Sequence, residues 1–194
     1  MHREPLLALL GRYAERFPED RERTGRILGL VRMRSECFER TCLPGHVTAS
    51  AWILSADRSR FLLTHHRKLN RWLQLGGHAD GHPLVHEVAL REAREESGMA
   101  LFHLPLIDGE LVPLDVDVHW IPPWRDEPGH WHHDVRFLLV AGAGQSPRAS
   151  DESHALRWFA MAELEAVVGE ESLLRMGLRA RSFGGQIGPV VPMA

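Results

Sequence analysis

Residues 76–99 read GGHADGHPLVHEVALREAREESGM, joining a paired glycine, a short polar loop and a charged helix. Glu92, Glu95 and Glu96 stand at i, i+3 and i+4, so a helix here gathers three carboxylates on one face. Like charges at that spacing repel, an i,i+4 pair costing roughly 0.2–0.5 kcal/mol. A hard divalent cation offsets that cost, and ligands that are all carboxylate oxygen suit magnesium or manganese. The competing account is a solvated face of ion pairs, Glu87 with Arg91 and Arg91 with Glu95. The surroundings favour the cation. Gly76-Gly77 follows a strand-like WLQL run, Asp80-Gly81 turns the loop, and Gly98 stands where a C-terminal glycine ends a helix.

The order of these residues resembles the Nudix hydrolase family. Its signature runs glycine, five residues, glutamate, seven residues, then Arg-Glu-U-x-Glu-Glu-x-Gly-U, where U is a bulky aliphatic residue. Gly77, Arg91, Glu92, Glu95, Glu96, Gly98 and Met99 stand in register with it. Pro83 occupies the place of the first glutamate, and Ala93 is small for an aliphatic position. Proline suits the first turn of a helix but brings no carboxylate.

The resemblance implies an α/β/α sandwich with a mixed sheet. It implies that Glu92, Glu95 and Glu96 hold catalytic Mg2+ or Mn2+, that the Gly77 carbonyl joins them, and that Arg91 orients a glutamate. Glu152, in the acidic loop ahead of Trp158-Phe159, is implied as a further metal contact or the general base, with Asp151 as its competitor. The implied reaction is hydrolysis of a phosphoanhydride bond in a nucleoside diphosphate linked to another moiety, by attack of metal-activated water. A binding module with this architecture and no turnover is the alternative, favoured by Pro83 and Ala93. An isomerase of the same fold would need a histidine and glutamate metal site with a catalytic cysteine, and Cys37 and Cys42 lie ahead of the first core strand.

Composition bounds the rest. A chain of 194 residues, 44% hydrophobic and 25% charged, is long enough for one sizeable core. A net charge of -3 supplies no basic field of the kind that nucleic-acid polymers require. No apolar run approaches the roughly 20 residues of a membrane helix, and PLLALL is too short for a signal segment. The expectation is a cytoplasmic enzyme acting on a small nucleotide-linked substrate. Two cysteines do not make a disulfide framework.

Along the chain, residues 1–44 read as an N-terminal helical extension, 45–180 as the main domain and 181–194 as a tail. Leu6, Leu7, Leu9, Leu10 and Tyr13 form one apolar stripe, and Ile27, Leu28, Leu30 and Val31 a second beyond Pro18. The resulting helical hairpin reads as scaffold packing, with homodimerisation or a lid as competing roles. HVTASAWILS and SRFLLTHH suggest a β-hairpin. Further strands are expected over Leu101 to Leu106, Glu110 to Ile121 and from His132 onward, and LRWFAMAELEAVV reads as a short strand followed by a helix.

Other residues are candidates for substrate or metal. His130, His132 and Asp134 alternate on one face of a strand, and Asp115, Asp117 and His119 on the strand before it. Imidazole suits zinc, iron, nickel and copper, so this face is read either as an additional metal site or as a substrate contact by His132 and Asp134. Arg67, in the HHRK run, is a cation for the non-reacting phosphate, and His78 in the signature loop is placed to reach the site.

Overall fold

The structure is a computed structural model that describes residues 2–151 and 153–183. In chain order its elements are α1 (Glu4–Arg16), α2 (Arg21–Met33), β1 (Gly45–Leu54), β2 (Arg60–His66), β3 (Arg71–Leu73), β4 (Leu75–His78) and α3 (Val85–Ser97). They continue with β5 (Phe102–His103), β6 (Asp115–Ile121), β7 (His130–Ala141), β8 (Ser153–Ala160), α4 (Leu164–Val167) and α5 (Glu171–Phe183).

One parallel pair organises the sheet. β1 lies beside β7 from Gly45 opposite Trp131 to Leu54 opposite Val140, and β1 is buried along its whole length. Two strands so far apart in sequence can run parallel because the intervening chain crosses over and covers a face with helix. β4 and the end of β2 line the other side of β1, antiparallel to it; β2 carries β3 and β8, while β7 carries β6 and β5. The outcome is the expected mixed sheet with helices, preceded by two N-terminal helices.

The helices follow their apolar spacing. On α3 the residues Val85, Val88, Ala89 and Ala93 are buried, one stripe at helical period, which seats the helix against β1, β4 and β7. Gly98 ends α3 with φ 65°, a left-handed conformation that glycine adopts without Cβ strain, and its N–H donates to the Arg94 carbonyl at 2.9 Å. α1 and α2 bury Leu6, Leu9, Leu10, Tyr13, Ile27 and Val31, so the hairpin belongs to the common core.

A buried ionic network joins the layers. Arg136 donates to Asp134 at 2.9 Å and to Asp115 and Asp117 at 3.1 Å each. Arg175 and Arg179 of α5 also pair with Asp115, and Arg179 reaches Asp20 at 2.7 Å and the Tyr13 hydroxyl at 2.6 Å. The network thereby ties both termini of the described chain to one face of the sheet.

Several strand expectations needed correction. The Leu101 to Leu106 strand shrinks to Phe102–His103, and the Glu110 to Ile121 strand begins only at Asp115, because Pro113 has no N–H for a ladder. Glu110 instead bridges Ile107. The β1–β2 pairing is confined to Ile53 with Leu62 and Leu54 with Phe61, since β2 pairs mainly with β8. The α-helix in LRWFAMAELEAVV is only Leu164–Val167, and the longer helix α5 follows it over Glu171–Phe183, where the sequence reading places no element. Pro83 lies ahead of α3, which starts at Val85, rather than in its first turn. Among the described residues, no helix is long and apolar enough to cross a membrane.

Candidate functional site

β4 carries the site. Gly76 lies opposite Ser50, Gly77 opposite Ala49 and His78 opposite Thr48 of β1. Successive strand residues face opposite sides, so Gly77 meets α3 while His78 turns to the other face of the sheet.

On the α3 side the signature carboxylates close over the paired glycines. A Cβ on Gly77 would lie 2.6 Å from Glu92 Oε2, so only glycine leaves room for that carboxylate. Arg91 Nη2 donates to Glu92 Oε1 at 2.7 Å and to the His78 carbonyl at 2.8 Å. Glu96 Oε1 accepts the Gly76 N–H at 2.7 Å, and Glu95 is the most exposed of the three. Burial raises the Glu92 pKa; Arg91 opposes that rise, and Glu95 and Asp80 add to it. The group fits a hard divalent cation: its side-chain donors are all oxygen, a missing Cβ forms the cradle, and a cation would offset the cost of the crowded charge. Asp80 holds the following loop through Arg40, Nε at 2.8 Å and Nη2 at 3.0 Å, and Gly81 N–H donates to the Phe38 carbonyl at 3.0 Å.

The opposite face holds a second group. His46 of β1, His78 of β4 and His130 and His132 of β7 bring one ring nitrogen each within 4.8 Å of one another. His46 stands directly across from His132 in the parallel register. His130 Nδ1 lies 2.8 Å from the Pro128 carbonyl, and its Nε2 lies 3.2 Å from His132 Nε2. Burial first, and then the neighbouring imidazoles, push His46 down to about 4 and His132 down to about 2; burial and Arg40 also lower His78. His46, His78 and His132 are therefore held in the neutral form at pH 7.

Other expected residues fall elsewhere. Asp134 lies on the predicted face, opposite Asp117, but its buried carboxylate accepts from Ser50 Oγ at 2.6 Å, Thr48 Oγ1 at 3.1 Å and Arg136 Nε at 2.9 Å. It serves the internal network and offers no free face to substrate. Arg67 is exposed and donates to the Ser153 carbonyl at 3.2 Å. Glu152 lies outside the described residues. Cys37 and Cys42 are buried free thiols, and burial pushes Cys37 up to about 11, so neither is poised as a nucleophile.

Residues 44–176 match the NUDIX domain family. The chain belongs to the Nudix family. With that membership comes the expected enzyme class, a Nudix pyrophosphohydrolase. Solved Nudix structures share the fold. A NUDIX-family hydrolase from Clostridium perfringens is 23% identical, covering 71% of this chain and 97% of its own, with TM-score 0.54. A Nudix hydrolase from M. smegmatis is 16% identical over 75% of this chain and 89% of its own, with TM-score 0.55. A C. elegans Ap4A hydrolase in a binary complex is 13% identical over 71% and 96%, with TM-score 0.51. No curated protein matches the chain.

The Nudix signature led directly to Gly77 and the α3 carboxylates, but it is silent on the histidines. The alternation along β6 and β7 groups His132 with Asp134 and His119 and leaves His46 out. The available signals were the His-x-His of β7 and the histidine after Gly76-Gly77. What joins them to His46 is the β1–β7 register, which no local pattern encodes.

Proposed function

We propose that this Nudix protein hydrolyses a phosphoanhydride bond in a nucleoside diphosphate linked to a second moiety. In this reading residues 45–180 form the catalytic domain, working in the cytoplasm with Mg2+ or Mn2+ held by Glu92, Glu95, Glu96 and the Gly77 carbonyl. The observation that carries it is the convergence of Glu92 and Glu96 from one face of α3 onto Gly77 and Gly76. When bound, a divalent cation supplies charge neutralisation at the diphosphate and activation of the attacking water.

The protein's own groups prepare that chemistry. Arg91 holds Glu92 and the loop carbonyl of His78 in one arrangement, fixing the carboxylate that meets the cation. Glu96 fastens α3 to the loop through Gly76. Glu152, or one of the helix glutamates such as the exposed Glu95, accepts the proton from water in this reading.

The test is phosphate release, after coupling to a phosphatase, from nucleoside triphosphates, dinucleotides and nucleotide-linked diphosphates with magnesium or manganese. The panel includes Ap4A and dihydroneopterin triphosphate, since the C. elegans Ap4A hydrolase and the E. coli dihydroneopterin triphosphate pyrophosphohydrolase share the fold. Turnover of one compound that Glu96→Gln abolishes supports the proposal. Folded, metal-loaded protein that turns over nothing on the panel favours the binding module, for which Pro83 is the motivating feature.

A further inference from the structure

We infer that His46, His78, His130 and His132 form a binding site for a first-row transition-metal dication of the zinc class, distinct from the carboxylate site on α3. Four observations carry this. The ligand atoms are all imidazole nitrogen, a donor set that suits zinc, iron, nickel or copper and not the oxygen-seeking magnesium. His46 is 1% exposed, and neither of its ring nitrogens makes a well-formed hydrogen bond among the described residues, the backbone of Cys42 being the one polar group that acts on the ring. A buried ring that leaves at least one nitrogen without a partner is costly and calls for an explanation, which a coordinated ion supplies.

The third observation is orientation. With Nδ1–H donated to the Pro128 carbonyl, His130 keeps the Nε2 lone pair free and aims it at the cluster. That Nε2 lies 3.2 Å from His132 Nε2. Ligands at about 2.0–2.1 Å from a tetrahedral zinc are about 3.3–3.4 Å apart, so this pair already has the required spacing. The fourth is the mounting. The ligands come from three adjacent strands, β4, β1 and β7, whose backbone ladders hold the rings to one face. His46 and His130 are buried, while His78 and His132 remain partly open and give an ion its way in.

The ion would act as a clamp. His78 directly follows Gly77, so coordination would fix the signature loop to the centre of the sheet. The inference does not depend on the hydrolase reading, because it concerns different ligands and a different class of ion.

The full chain, stripped with a chelator, would be dialysed against Zn2+ in excess Mg2+ and its metal content and X-ray absorption measured. About one zinc per chain in an imidazole-rich shell at about 2.0–2.1 Å is expected. Zinc content should persist in Glu95→Gln/Glu96→Gln and fall at least tenfold in His46→Ala and in His132→Ala. The wild-type absorption spectrum decides the ligand type even where a histidine variant misfolds. Oxygen-only coordination, substoichiometric zinc, or loss of zinc in the glutamate variant but not in the histidine variants would overturn the inference, whatever the phosphatase-coupled assay shows.

Discussion

Arg91 donates to the backbone carbonyl of His78 at 2.8 Å, and the same Nη2 donates to Glu92 Oε1 at 2.7 Å. One guanidinium nitrogen therefore sets both the signature loop and the first signature carboxylate. The two candidate centres share this connection, although their ligating side chains lie on opposite faces of the sheet.

Arg91→Ala should lower kcat/KM about 10–100-fold, the usual cost of losing a partner that orients a metal ligand. Arg91 is half-buried, and its global contribution should be small, so the thermal midpoint should move by only a few degrees. Steady-state kinetics on the substrate found by the panel, with thermal melts alongside, separate the two effects.

Gly77→Ala tests the cradle. The added methyl meets the end of the Glu92 side chain, which can move aside, so the stability cost should be about 1 kcal/mol or less. Displacing the carboxylate should nevertheless reduce activity at least as far as Arg91→Ala does. A fully active Gly77→Ala would show that Glu92 does not need its resting position.

Arg136→Leu should destabilise the protein by about 3–5 kcal/mol, because it leaves Asp115, Asp117 and Asp134 without their shared buried partner. Arg175 still reaches Asp115 and Asp117, so the loss should be partial and the protein should remain foldable at low temperature. Urea denaturation reads the difference.

Asp20 provides the pH-dependent case. Burial opposes its ionisation, but the hydrogen bond from Tyr13 and the pairing with Arg179 and Arg23 hold its carboxyl below the ordinary range. A depressed folded-state pKa means stability that is present above the unfolded value of about 3.9 and is lost as pH falls below it. Asp20→Asn should therefore destabilise by about 3 kcal/mol near pH 7. The gap between variant and wild-type urea midpoints should narrow at pH 3. A gap independent of pH would mean that Asp20 contributes through shape alone.

The features legible in the sequence were those written locally. The i, i+3, i+4 spacing of Glu92, Glu95 and Glu96 and the glycines at either end marked loop, helix and cap, and the apolar stripes marked α1 and α2. The alternation of His130, His132 and Asp134 against Asp117 and His119 also stands in the β6–β7 register. The role of Asp134 was not legible, because Thr48 and Ser50 reach it from a strand 84 or more residues away. His46 escapes for the same reason: Gly45 and Val47 flank it in the chain, while the rings packed against it in space are imidazoles from β4 and β7.

The alternation along β4 carries an evolutionary constraint. Gly77 and His78 are consecutive, so a single residue inserted or deleted between Gln74 and Gly77 would exchange the sides to which they point. The imidazole would then be driven against Glu92, and the glycine would leave a gap among the histidines. Changes of length in this segment should be tolerated only in steps of two, which makes the spacing from β3 to α3 a matter of odd and even as much as of distance.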